Sequence, residues 1–353
     1  LVRVWLTYDQ YAVQSQLAHH NIPLSALVTI NSPSSSSPYL STEQILSTIS
    51  QYAASTALVL LPGIQFYSGQ FFDIELITRH CHSLGLIVGW DLAHAVGNVP
   101  VKLHDWNVDF AAWCNYKYMN GGPGVIGGLF VHDTHGKVEE AQSSTEEETH
   151  LSNGDTTHNN DTKLLYRPRL SGWWGAEKKS RFRMENKFIP VSGASGFQLS
   201  NPSALDMTSV LASLDVFALT DMQSLRQRSL RLTAYLEARL LRYKGGEPPY
   251  KIITPLNPAE RGAQLSVLLN PGLLEHVLEY TEERGVVVDE RKPDVIRIAP
   301  APMYNSFWDI HRFIIIFHAA CKEAVSRTPH HAVRAVDGAA DAIDQAANAI
   351  AEV

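Results

Sequence analysis

Residues 86–94 read Leu-Ile-Val-Gly-Trp-Asp-Leu-Ala-His, and residues 108–117 read Val-Asp-Phe-Ala-Ala-Trp-Cys-Asn-Tyr-Lys. Each is a short, largely apolar run that ends in polar residues. Runs this apolar predict strands buried on both faces, as in a parallel sheet covered by helices. Their polar ends then fall at the carboxyl ends of the strands, where open α/β sheets gather ligands. Asp91 closes the first run and Lys117 follows the second, 26 residues later. Next comes Gly121-Gly122-Pro123-Gly124, a flexible stretch that exposes backbone amides.

An aspartate and a lysine at the ends of neighbouring strands suit pyridoxal 5'-phosphate chemistry. The lysine amine bonds the cofactor aldehyde as a Schiff base. The carboxylate keeps the pyridine nitrogen protonated, which makes the ring an electron sink. His94 lies three residues after Asp91, about one helical turn away if the chain turns helical there, within reach of the same ring. Taken one at a time, Asp91 could cap a helix, His94 could be a satisfied loop histidine and Lys117 a surface amine. Their coincidence on two such apolar strands favours the cofactor site.

Strand and helix patterns alternate outward from this centre. Residues 26–30 and 57–61 read as further strands, and 128–131 as one more, antiparallel to its neighbour. Ser41 and Gln44 have capping-box spacing, and Ile45, Ile49 and Tyr52 follow on one helical face. A helix over 73–84 ends at Gly85. Farther along, residues 202–242 are helical with a break near Thr220. Strands at 251–254, 263–269, 286–288 and 295–298 alternate with helices at 272–284 and 307–326. This order predicts a mostly parallel α/β domain over residues 1–215, a smaller α+β domain over 216–330 and a tail over 331–353.

The acidity is local. The formal net charge is −7, from 36 acidic and 29 basic residues. Residues 133–161 hold eight of those acids and one base, Lys137; without them the chain is neutral. With almost no large apolar side chains, residues 133–163 are expected to be a disordered, solvated insert. Ser32 to Pro38 is a shorter low-complexity loop. A charge of −7 argues against a general nucleic-acid binder. Three cysteines make no disulfide framework or four-thiolate zinc site. They fit a reducing compartment, and the absence of a signal-peptide pattern after Leu1 adds to the expectation of a cytoplasmic protein. His80-Cys81-His82 and His132 with His135 offer metal ligands, but solvated histidines explain them better.

The stretch VGWDLAHAVGNVPVKLHDWNVDFAAWCNYKYMNGGPG, residues 88–124, resembles kynureninase. So do LPGIQFYSGQ (61–70), GWWG (172–175), FQLSNP (197–202) and IRIAPAPMYNSF (296–307). The resemblance runs from about Asp9 to Ala319, apart from the acidic insert. It implies the type I fold of pyridoxal phosphate enzymes and a homodimer with its active site at the interface. The implied reaction is hydrolysis of kynurenine or 3-hydroxykynurenine to an anthranilate and alanine, a step of tryptophan catabolism and NAD biosynthesis. Residue by residue, Lys117 would be the Schiff-base lysine and the acid/base at the substrate α-carbon. Asp91 would pair with the pyridine nitrogen, and His94 would sit beside the cofactor. Tyr116 would hold the phosphate and is a candidate for activating water. Trp173 would contact the phosphate across the interface. Asn201 would bind cofactor and substrate, and Arg297 would take the substrate α-carboxylate, which a guanidinium fork matches. Alternatives stand beside three of these. Trp173 and Trp174 could be core aromatics, Asn201 could cap the following helix, and Arg297 could be a surface arginine on an edge strand.

At the amino end the pattern departs from the family. Its phosphate-binding Leu-Thr pair has no counterpart. Its Phe-Pro-Ser-Asp motif is matched by Leu6-Thr7-Tyr8-Asp9, in which Asp9 fits and Leu6 replaces the stacking aromatic. This leaves an expectation of a chain lacking the family's N-terminal portion. The two readings are then an active hydrolase and an impaired, kynureninase-like remnant that acts at most as a binding subunit. Another type I enzyme, such as a cysteine desulfurase or aminotransferase, is a third, disfavoured by the GWWG and SNP matches.

Overall fold

A computed structural model describes residues 2–4, 7–31, 39–140, 164–183 and 186–327, with backbone alone for 2–4 and 7–9. Its first half is a six-stranded sheet. The strands are β1 (Val2–Val4), β2 (Val28–Ile30), β3 (Leu58–Pro62), β4 (Ile87–Asp91), β5 (Phe110–Cys114) and β6 (Gly127–Val131). They lie in the order β2-β1-β3-β4-β5-β6. Every pairing is parallel except β5 with β6, which is antiparallel as the sequence predicts. Helix α1 (Thr7–His19) follows β1, and both lie where the sequence pattern gave no assignment.

Helices α2 (Thr42–Tyr52) and α3 (Ile74–Ser83) pack on the sheet. The Ser41 hydroxyl accepts the Gln44 N–H and Asp73 accepts the Leu76 N–H, so both helices start on side-chain caps. Ile45, Ile49, Ile74 and Ile77 are fully enclosed with Val59, Val88 and Trp90. Each such side chain contributes about 1.5–3 kcal/mol by leaving water. The Trp90 indole N–H donates to Thr78 Oγ1 at 3.1 Å, so the ring is fixed as well as buried.

The first part of the segment expected to be disordered is structured: residues 133–140 form α4 (Asp133–Gly136) and β7 (Val138–Glu140), and β7 pairs antiparallel with β8 (Leu164–Tyr166). The rest of that segment, 141–163, lies outside the described residues, as do the serine-rich loop and the tail from 328.

After α5 (Lys178–Arg181), helices α6 (Ala204–Phe217) and α7 (Met222–Leu240) break where Thr220 marks the sequence. A second sheet of order β11-β12-β10-β9 is antiparallel throughout. It comprises β9 (Tyr250–Ile252), β10 (Leu265–Leu269), β11 (Asp289–Arg291) and β12 (Val295–Ile298). With α7, α8 (Leu274–Glu282) and α9 (Phe307–Arg327) it encloses a second core around Leu236, Val267, Ile296 and Phe317. One strand is corrected: β11 occupies 289–291, not 286–288. Val286 and Val288 pack on this core, but Val287 is exposed and the ladder to β12 starts only at Asp289.

The loop after β3 joins the two halves. The Thr254 hydroxyl donates to the Ser68 carbonyl at 2.6 Å and Ser266 to that of Tyr67 at 2.5 Å. Gln264 Nε2 donates to the Phe66 carbonyl at 3.0 Å. The motif LPGIQFYSGQ is therefore the joint on which the second sheet sits.

Candidate active site

Strands β4 and β5 run side by side, with Asp91 in register with Ala112. The carboxyl end of β4 thus lies next to the turn that carries Tyr116 and Lys117. Asp91 Oδ1 accepts the Ala93 N–H at 2.8 Å, which bends the chain at once. No helix starts there, only a turn, so Asp91 is not a helix cap. Gly97 has φ +77°, and a Cβ on it would stand 2.9 Å from the carbonyl carbon and oxygen of Tyr118. Only a glycine allows the His94 turn to press onto the backbone beside Lys117.

His94 is enclosed and electropositively surrounded. Its pKa is held well below the ordinary value, first by burial and then by Lys117, Arg297 and Arg291. The imidazole is therefore neutral at physiological pH, and its buried Nδ1 has no hydrogen-bond partner among the described residues. A buried, unpartnered polar atom is costly unless something completes it. This is not a satisfied loop histidine. The Tyr118 ring meets it edge to face, centroids 6.4 Å apart.

Lys117 is partly buried, with its Nζ 5.6 Å from the centroid of the Tyr116 ring, so it is not a fully exposed amine. Tyr116 is half-exposed; burial, Cys114 and Asp91 together push its hydroxyl pKa up.

Arg297 is buried, on the interior strand β12, so the edge-strand alternative fails. One terminal nitrogen donates to the Phe66 carbonyl at 2.9 Å. The other is paired with Asp289, which also holds Arg291. Burial pulls the Arg297 pKa down while Asp289 holds it up. The fields of Arg297, Tyr304 and Asp289 reach the Tyr118 hydroxyl, which burial raises to about 12. Lys117 and Arg297 thus act on His94, Asp91 acts on Tyr116, and Lys117 lies against Tyr116, which links the five side chains electrostatically.

Three expected members are not tied to it by any described contact. Trp173 sits on a one-turn helix, half-exposed, edge to face with Phe182 at 5.5 Å. Trp174 is also exposed, with Arg181 over its ring at 4.8 Å, so neither tryptophan is a core aromatic. Asn201 is exposed, and the cap of α6 is Ser203, whose hydroxyl accepts the Asp206 N–H. The side chain of Asp9 lies outside the described residues, as does Leu6.

The sequence reading missed Tyr118, Asp289 and Arg291. Their signal was weak: a tyrosine beside a more reactive lysine, and two charges in a segment between two expected strands that received no assignment. The histidines carry a role the sequence did not show: the Nε2 atoms of exposed His82 and part-buried His135 reach the buried Asp109 carboxylate at 2.9 and 2.5 Å. No group of three or more ligating side chains suited to a metal occurs among the described residues.

Residues 32–188 match the aminotransferase class-V family, and 225–317 match the kynureninase C-terminal domain. Kynureninase 1 of Phaeosphaeria nodorum is 70% identical over 95% of this chain. Kynureninase 1 of Aspergillus oryzae is 57% identical over 90%. The chain spans 66% and 63% of the length of these relatives, short of two thirds of either. Solved structures share the fold at low identity. The cysteine desulfurase of Thermococcus onnurineus NA1 matches 91% of this chain and 72% of its own, with TM-score 0.66 and 15% identity. A C-DES variant with glycine covalently linked to its PLP cofactor matches 90% and 74%, with TM-score 0.67 and 16% identity. The mostly parallel sheet and its helices therefore have the expected class-V, type I architecture.

Proposed function

We propose, on the premise of 70% identity to Kynureninase 1 of Phaeosphaeria nodorum over 95% of the chain, that the protein hydrolyses kynurenine or 3-hydroxykynurenine. The products are anthranilate or 3-hydroxyanthranilate and alanine, and the cofactor is pyridoxal 5'-phosphate. One observation supports this most: Asp91, Lys117 and a neutral His94 with an open, buried Nδ1 stand together at the carboxyl edge of the sheet. This donor set fits a pyridoxal ring. Identity of 70% through both matched families favours the hydrolase over a non-catalytic remnant.

When bound, pyridoxal phosphate supplies an electron sink for charge developing at the substrate α-carbon. Lys117 would hold its aldehyde, Asp91 its ring nitrogen and Tyr116 its phosphate. Trp173 and Asn201 would complete the site from a second copy and from the loop before α6. Arg297 binds the substrate α-carboxylate and so places the α-carbon. The Lys117 amine takes the α-proton and later returns a proton to the product. Tyr116 is the candidate to orient the water that adds to the γ-ketone. The Cβ–Cγ bond then breaks, leaving the aryl carboxylate on one side and alanine on the other. His94, being neutral, adds no further cation beside Arg291 and Arg297.

A homodimer is part of this proposal. Leu205, Leu211 and Leu214 on α6 are exposed, as are Trp173 and Phe182, an apolar surface of the kind that marks an interface. No helix among the described residues is long and apolar enough to cross a membrane. A cytoplasmic location remains part of the proposal.

Adding pyridoxal phosphate to the purified protein is expected to produce the visible absorbance of a lysine-bound cofactor, and Lys117→Ala to abolish it. Added kynurenine is then expected to release anthranilate, read by its fluorescence. Absence of both signals at saturating cofactor overturns the proposal.

A further inference from the structure

Arg297 does not stand alone at the substrate end of the site. It lies directly across the ladder from Asp289, the first residue of β11. Asp289 is exposed on its other side, so its carboxylate reaches two guanidinium groups: Arg297, and Arg291 two residues along its own strand. Opposite charges at facing positions of neighbouring strands hold each other in place. The Phe66 carbonyl fixes the second terminal nitrogen of Arg297, while its buried Nε has no partner among the described residues. The guanidinium is therefore clamped at two corners and keeps a free donor.

Charge counting completes the picture. A buried arginine without a counter-ion would be costly. An arginine with a single aspartate would form a neutral pair with little pull on an anion. Here two arginines share one aspartate, so this corner carries a net positive charge and accepts one more carboxylate to reach balance. We propose that Asp289 is a positioning residue that aims Arg297 at the α-carboxylate of the substrate, and that Arg291 is the second cation that keeps the corner attractive to that anion. This rests on the function proposed above, and it names how the amino-acid end of the substrate is selected.

The test compares L-kynurenine with kynuramine, the same molecule without its carboxylate, on the cofactor-loaded protein. Binding is read by the change in visible absorbance and by calorimetry, alongside KM and kcat. The variants are Asp289→Asn, which keeps the shape, Asp289→Ala, and Arg291→Gln. Each is expected to weaken kynurenine at least tenfold in KM and in direct binding, while kynuramine binding changes less than twofold. Asp289→Glu is expected to recover part of the loss. Tighter kynurenine binding in Asp289→Asn would mean that Asp289 competes with substrate, and overturns the inference. Equal loss of both ligands reports a merely structural role and also overturns it. If the unmodified protein binds neither ligand, the proposed function itself fails; if it prefers kynurenine and the variants do so equally, only this inference fails.

Discussion

At Asp109 three donors converge on one carboxylate: the Val88 N–H at 2.8 Å, His82 and His135. The residue begins the approach to β5, and its partners come from α3, β4 and α4, so one side chain fastens the edge of the sheet to its helices. Burial alone would raise its pKa, but the hydrogen bonds from Val88, His82 and His135 outweigh that and hold it below the ordinary carboxylate value. A folded-state pKa below the unfolded one of about 3.9 means stability that is full above that pH and is lost as pH falls through the folded value. Asp109→Asn keeps one acceptor and loses the charge. It is expected to cost about 1–3 kcal/mol near neutral pH. The difference from the unmodified protein should shrink in acid, as urea unfolding at neutral and acidic pH will show. At this scale the sequence was legible where apolar strands end in reactive residues, as at Asp91, His94 and Lys117. It was not legible at Asp109 or Asp289, because an aspartate's partners lie on other elements and nothing in its neighbours reveals them.

Helix α6 illustrates what periodicity can and cannot convey. Its helical character was readable from residues 202–242, but none of its residues is buried in the isolated chain. Ser209 and Ser213, one turn apart, donate to the carbonyls of Gly121 and Met119, so hydroxyls fix the helix beside the loop that follows Lys117. Apolar residues occur all round it, which leaves no single stripe to point at a core. Leu211 is 58% exposed. Under the proposed homodimer, Leu211→Glu should shift the protein from dimer to monomer in sedimentation velocity and weaken cofactor retention, while the serine contacts stay intact. Strand β11 makes the complementary point. The valines at 286 and 288 alternate as a strand should, yet the ladder begins only at Asp289, which faces Arg297, and runs on to Arg291 opposite Val295.

On the scale of the whole molecule, polar groups couple the two cores. Asn98 is almost fully buried; its Oδ1 accepts the Ala263 N–H at 2.9 Å and its Nδ2 donates to the His94 carbonyl at 2.9 Å. One amide therefore ties the approach to the second sheet to the His94 turn. Asn98→Ala strands a buried N–H and is expected to lower stability by about 1–3 kcal/mol. It should also reduce cofactor affinity, measurable by absorbance titration of the same protein. The α/β and α+β architecture was readable from element order, whereas this joint was not, since it is made by backbone carbonyls in a loop that carries no helix or strand period. The ribbon of β7 and β8 has a different, practical meaning. Glu140 and Leu164 face each other across its ladder, so these two positions of the chain are held side by side. The entropy of closing a segment between such fixed ends grows only logarithmically, about 0.6 kcal/mol for each doubling of length. That makes this point a docking port for protein engineering: an affinity tag, a fluorescent domain or a surface anchor spliced there would be carried by the protein at little cost to its folding.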